Sequence, residues 1–116
     1  MEISHRRLNR VDLLALHGWL DAASAPLLKE QIDSLLGQNR CRIVLDLSSL
    51  EGLSSAGLRV LAEARGRARD RKITDLEGGD VRLAGPSPYI KELLDMTGLS
   101  TMFEIYPDAL EAVGSF

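Results

Sequence analysis

Along the chain, apolar positions alternate, run together or recur every three to four residues, and the order of these patterns predicts the order of the elements. Residues Glu2–Leu8 form a weak strand, with Ile3 and Leu8 apolar and Arg6-Arg7 solvated. Asn9-Arg10 is then a tight turn, because residues 11–17 (VDLLALH) alternate as a second and better strand that Gly18 ends. Trp19-Leu20-Asp21 leads out to a helix with Ser24 as N-cap and Pro26 in the first turn, where a missing N–H costs little. Leu28, Ile32, Leu35 and Leu36 fall on one face of that helix, opposite Lys29, Glu30 and Asp33. Gly37 is placed to close it as the first residue past the end.

The next stretch organises the rest. Ile43-Val44-Leu45 is a continuous apolar run between Arg42 and Asp46, as expected of a strand buried on both faces. Residues 48–53 are too broken to continue it, and Ser54-Ser55 precede a helix over residues 56–71. That helix turns Leu58, Leu61, Ala64 or Ala62, and Ala68 inward, and it carries Arg59, Arg65, Arg67, Arg69 and Arg71 outside as a basic ridge. A polar connection over residues 72–80, with a Gly78-Gly79 turn, leads to a strand over residues 81–84 closed by Gly85-Pro86. Ser87 caps and Pro88 starts another helix, with Ile90, Leu93, Leu94 and Met96 as its apolar positions and Thr97-Gly98 as its end. Residues 102–106 alternate as a last strand, and Pro107-Asp108 opens a short helix through Ala109, Leu110 and Val113. The order β-β-α-β-α-β-α-β-α implies an α/β domain, a mixed sheet with helices packed on it.

Composition narrows the function. At 116 residues, 27% charged and 45% apolar, the chain reads as one ordinary globular domain. A net charge of -3 argues against binding nucleic acid over the whole surface. Neither a membrane-spanning apolar run nor a signal segment is present, so a cytoplasmic location is expected, and the lone Cys41 fits that compartment.

Ser54-Ser55 is the first candidate for chemistry. The plain reading makes one serine a helix cap and the other a spacer. Nucleophilic catalysis would need a base, and the only histidines, His5 and His17, lie near the N-terminus with no Gly-x-Ser-x-Gly elbow anywhere. A phosphoserine suits the position better, because a helix start stabilises a phosphate. Asp46 compares poorly with a receiver-domain phosphoacceptor. Asp21 is the one acid after the early strand, and residues 81–84 run directly into Gly85-Pro86 with no lysine at the strand end, so Asp46 reads as a turn-capping residue. His5, His17 and Cys41 lack metal-ligand spacing, and Trp19 reads as a core or rim anchor. The arginine ridge reads as a solvated face, with partner docking as its alternative.

Six segments in order, Gly18-x-Leu20-Asp21, Val44-Leu45-Asp46-Leu47-Ser48, Ser54-Ser55-Ala56-Gly57-Leu58-Arg59-Val60-Leu61, Gly85-Pro86-Ser87-Pro88, Leu94-x-x-Thr97-Gly98-Leu99 and Phe103-x-Ile105-Tyr106, resemble a STAS domain of the anti-sigma factor antagonist type. The resemblance covers nearly all of residues 1–116 and implies a single STAS domain with a mixed four- to five-stranded sheet. It also implies a small cytoplasmic regulator that is no enzyme and needs no cofactor or metal. The unphosphorylated form in that family binds an anti-sigma factor that is also a serine kinase, which frees the sigma factor. Phosphorylation of a serine at the start of the second helix breaks the complex, and a metal-dependent serine phosphatase restores it.

The commoner family spelling is Asp-Ser-Ser-Gly-Leu, with the acceptor just before the glycine. Matching Gly57-Leu58 puts Ala56 at that acceptor, Ser55 one residue earlier and Ser54 at the aspartate. Ser55 is the first choice of acceptor and Ser54 the second, and a third possibility is that neither is modified. Asp21, Ser54, Ser55, Ala56, Gly57 and Arg59 form the expected partner surface, without direct contact to nucleic acid or membrane. The alternative is a constitutive STAS scaffold subunit of a larger signalling or transporter assembly, which Ala56 favours. The connection over residues 72–80 is also longer than the family's usual one.

Overall fold

A computed structural model describes residues 1–70, 72–74 and 77–116, and side chains outside residues 71–77. The hairpin forms as the alternation predicts: β1 (Glu2–Leu8) pairs antiparallel with β2 (Val11–Leu20), from Glu2 opposite His17 to Leu8 opposite Val11. Asn9 makes the turn at φ 54, a left-handed conformation that asparagine tolerates. There follow α1 (Ala25–Gly37), β3 (Arg42–Asp46), β4 (Leu50–Leu53), α2 (Ser55–Arg69), β5 (Lys72–Thr74), β6 (Glu77–Gly78), β7 (Asp80–Ala84), α3 (Pro88–Met96), a 3-10 turn (Leu99–Thr101), β8 (Ile105–Tyr106) and α4 (Ala109–Gly114).

The main sheet runs β1-β2-β3-β7-β8, with β4 as a sixth strand on β2. β3, β4, β7 and β8 are each parallel to their neighbours, so the sheet is mixed only through the opening hairpin. Leu14, Leu16, Ile43, Leu45, Val81 and Leu83 point to one face, where they meet the apolar stripes of α1, α2 and α3. Val11, Val44 and Ala84 point to the other, covered by Ala112 of α4. The continuous apolar run of β3 follows from this, since both of its faces are buried.

Several local expectations change. Gly18 does not end β2: at φ +99 its N–H donates to Ser49 O at 3.2 Å, and the strand continues to Leu20. It continues because β4 takes up the pairing where β3 leaves off, Ala15 lying opposite Asp46 and Gly18 opposite Leu50. The register then slips, Gly18 pairing with Leu50 but Trp19 with Gly52, so Glu51 is an extra residue bulged out of β4. The bulge lets Leu50 and Leu53, an odd three positions apart, both reach the core.

Gly37 lies inside α1, and Asn39 at φ 61 makes the left-handed exit instead. Ser24 stands at the N-cap position of α1, but its hydroxyl does not cap the helix. Val60 joins Leu61, Ala64 and Ala68 on the buried face of α2, while Leu58 is only partly covered. Gly78 belongs to the β5-β6 pair rather than to a turn, and Gly79 is pressed so closely on Ala68 O that a Cβ would lie 2.2 Å from it. Arg71 falls outside the described residues, as do Asp75 and Leu76 of the long connection.

On α3, Ser87 caps as expected by accepting from Ile90 N at 3.2 Å, and Gly98 at φ +80 ends the helix, but Met96 is 76% exposed. The expected strand over residues 102–106 shrinks to Ile105–Tyr106, because the 3-10 turn carries the chain to Met102 and sends Phe103 into the core. Asp108 caps α4, accepting from Glu111 N at 2.8 Å, with Ala112 buried and Leu110 exposed.

Candidate functional site

The ends of two adjacent parallel strands build the site. Leu20 of β2 lies opposite Leu53 of β4, so the next residues, Asp21 and Ser54, leave the sheet side by side, about 5 Å apart. Ser54 N donates to Leu20 O at 3.0 Å, which ties the entry of α2 to the exit of β2. Gly57 allows the close approach: a Cβ there would lie 2.5 Å from Leu20 O and 2.8 Å from Leu53 Cδ1.

The two serines divide the helix start between them. Ser54 has extended backbone and is the N-cap, its Oγ accepting from Gly57 N at 3.4 Å and its carbonyl from Leu58 N at 2.9 Å. Ser55 is the first residue of α2, is exposed, and makes no side-chain hydrogen bond among the described residues.

Asp21 organises the loop into α1. Its Oδ1 accepts from Ala23 N at 3.0 Å and from Ser24 N at 3.1 Å, and its own N–H donates to Ser24 Oγ at 2.9 Å. The Ser24 hydroxyl in turn donates to Trp19 O at 2.8 Å, which is why it is lost to the cap of α1. The Ser24 N–H, before the other donors, holds the Asp21 carboxyl below its ordinary pKa.

Ala56 and Arg59 line a groove of about 270 Å³ between α2 and the start of α1. Ala22, Pro26 and Lys29 form its other wall, and Val60 and Glu63 continue its α2 side. Local periodicity gave no sign of the α1 wall, because it arises from packing two helices that are separate in sequence. Trp19 flanks the site from the sheet: its ring packs on Gly52, where an added Cβ would come within 2.2 Å of it, and it stays 53% exposed.

The basic ridge is not a uniform solvated face. Arg65 and Arg69 lie 3.8 and 3.9 Å from Asp80, and Arg67 pairs with Asp33. Arg59 has no carboxylate within ion-pair distance among the described residues. Away from the site, Asp46 Oδ1 accepts from Ser48 N at 3.0 Å, the turn-capping role expected of it. His5 Nε2 lies 2.6 Å from Asp12 Oδ1, His17 Nε2 lies 3.3 Å from Ser4 Oγ, and Cys41 is buried. Among the described residues no His, Cys, Asp and Glu group could hold a metal ion, and no helix is long and apolar enough to cross a membrane.

The STAS domain family model matches residues 2–112. The chain is also 31% identical over 114 residues to the anti-sigma F factor antagonist of Paenibacillus polymyxa, a match covering 97% of this chain and 91% of that protein. The chain belongs to the STAS family, among the anti-sigma factor antagonists. This STAS domain superposes on the crystal structure of an anti-sigma factor antagonist from Mycobacterium paratuberculosis with a TM-score of 0.81, at 24% identity, over 98% of this chain and 92% of that one. Against the Bacillus cell fate determinant SpoIIAA in its phosphorylated form the TM-score is 0.75, at 17% identity, with 98% of each chain covered. At these identities the two structures share the STAS fold, including the mixed sheet and helices described above.

Proposed function

We propose that this STAS domain is a phosphorylation-switched binding protein: unphosphorylated, it docks on an anti-sigma factor that is also a serine kinase and so frees the sigma factor. The γ-phosphoryl group of ATP then passes to Ser55 Oγ, ADP leaves, the hydroxyl proton goes to solvent, and the complex parts. A metal-dependent serine phosphatase hydrolyses the ester and restores the docking form. In this reading the protein is a cytoplasmic regulator and not itself an enzyme, and it contacts neither nucleic acid nor membrane.

The observation that carries the reading is the division between the serines. Ser54 caps α2, whereas Ser55 is exposed with an uncommitted hydroxyl beside a groove that two helices shape. A phosphate adds roughly -1.5 to -2 charges at the rim of that groove, enough to oppose a modest interface by repulsion and desolvation. Asp21, Ser54, Ser55, Ala56 and Arg59 are the docking residues, with Asp21 beside the acceptor turn; Gly57, expected among them, is buried against Leu20 and instead sets how closely α2 approaches the sheet.

The test is incubation with the candidate anti-sigma kinase and ATP, followed by mapping of the phosphate by mass spectrometry. Phosphate on Ser55, lost in Ser55→Ala and retained in Ser54→Ala, is expected. A phosphate that survives Ser55→Ala and vanishes in Ser54→Ala would move the site, and no incorporation under any condition would sink the switch. Ala56, at the usual acceptor position and on the groove wall, favours the second reading, a constitutive scaffold of a larger signalling or transporter assembly. Pull-downs that recover transporter subunits and no kinase would select it.

A further inference from the structure

Ser55 lies beside the groove and Ala56 on its wall, so besides direct repulsion a phosphate on Ser55 needs a way to change the wall itself. Arg59 supplies one. At about 100° per residue, Arg59 stands roughly 40° from Ser55 and roughly 60° from Ala56 around the axis of α2. Its long side chain therefore reaches either the groove rim, which it lines in this structure, or a group on Ser55 one turn before it.

Charge isolates it further. Across the groove the Lys29 ammonium is held by Asp33 at 2.9 Å, and Arg65, Arg67 and Arg69 each face Asp33 or Asp80. Among the described residues Arg59 is thus a rim cation with no carboxylate of its own. Glu63, one turn later and also on the groove, is not within ion-pair distance of it.

We propose that Arg59 is the in-chain receptor of a phosphate on Ser55, and that phosphorylation acts on docking by drawing Arg59 off the groove rim. The proposal rests on the reading of Ser55 as the acceptor. In the unphosphorylated chain the guanidinium is free to meet an acidic group of the anti-sigma partner. In the phosphorylated chain it makes a charge-assisted hydrogen bond to the phosphate oxygens, and the rim loses its cation as the added anion arrives.

The test uses the full chain with phosphoserine installed at position 55 by genetic encoding, so that no kinase is needed. The second ionisation of the phosphate, followed by phosphorus NMR, is expected to lie roughly 0.2–0.4 pH unit lower in the native chain than in Arg59→Gln. Lys29→Gln, which removes the same charge across the groove, is expected to leave the titration where it is. The Arg59 Nε–H resonance is expected to move on phosphorylation, and the gap should narrow without closing at about 1 M salt, where the screening length of about 3 Å is close to the contact distance. Equal titrations in the native chain and Arg59→Gln overturn the proposal, as does an effect of Lys29→Gln as large as that of Arg59→Gln. These outcomes stand apart from the mass-spectrometric mapping, because a kinase that ignores Ser55 would remove the switch without altering the titration.

Discussion

Two glycines of one helix should respond to the same substitution with opposite signs. In Gly57→Ala the added Cβ would meet Leu20 O at 2.5 Å, Leu53 Cδ1 at 2.8 Å and Leu20 Cγ at 2.9 Å. The first of these is backbone of a paired strand and cannot rotate away, so the start of α2 must lift. Lifting it brings overpacking of about 1–3 kcal/mol and weakens the bond from Ser54 N to Leu20 O, another ~0.5–1.5 kcal/mol. Against this, alanine is better than glycine in a helix by about 1 kcal/mol. The net is a loss of about 2 kcal/mol. In Gly66→Ala nothing lies within 4 Å of the new Cβ, the residue is exposed, and only the propensity gain of about 0.5–1 kcal/mol remains. Urea unfolding at constant m-value measures both, and thermal midpoints should move down by roughly 8 °C and up by a few degrees respectively. If Gly57→Ala proves as stabilising as Gly66→Ala, α2 does not depend on close approach to β2, and the stated geometry of the site is wrong.

Other outcomes are expected with it. Gly52→Ala should displace the only tryptophan, whose Cε3 would be 2.2 Å from the new Cβ, and red-shift its emission; an unchanged spectrum would mean that Trp19 does not lie on Gly52. Asp12→Ala should cost about 3 kcal/mol in urea unfolding, because Arg40 Nε, 2.6 Å from a wholly buried carboxylate, loses its counter-ion while its Nη2 keeps the Asn9 carbonyl. Asp21, Asp33 and Asp95 all have lowered pKa values, held down chiefly by the Ser24 N–H, Lys29 and Lys91 respectively. As pH falls through the ordinary carboxylate range the unfolded chain takes up these protons first, so their stabilisation is present above that range and is lost through the lower folded values. Asp21→Asn should therefore flatten the acid limb of urea midpoints measured from about pH 7 to about pH 3, and a limb as steep as that of the native chain would deny Asp21 its loop bonds.

What could be read from the chain alone was whatever a short window contains. The 3.6-residue stripe of α1, the cap Ser87 and the opening of the last helix at Pro107-Asp108 are local signals, and each stands as expected, whereas which of the two serines caps α2 was left to the structure, which gives Ser54. β4 was hidden because a bulge breaks alternation: Leu50 and Leu53 share a face at a spacing that no regular strand allows. The end of α1 read as Gly37, whereas Gly37 stays helical and Asn39, two residues on, takes the left-handed conformation. The serines of the candidate site were legible, but its other wall was not. The ion pairs of the arginine ridge were equally out of reach, since Asp33 and Asp80 meet α2 only through packing.

The bulge at Glu51 also bears on how such a chain can change its length in descent. Elsewhere in a buried strand, gaining or losing one residue exchanges inside for outside over all that follows. At Glu51 the ladder already carries a surplus residue, so its deletion would restore regular pairing and still leave Trp19 opposite Gly52 and Leu20 opposite Leu53. The helix after it would keep both its anchor, the bond from Ser54 N to Leu20 O, and its rotation about its own axis. The Ser54-Ser55-Ala56 order is thus insulated from strand length at this one position: a lineage could lose Glu51 without respelling the helix start.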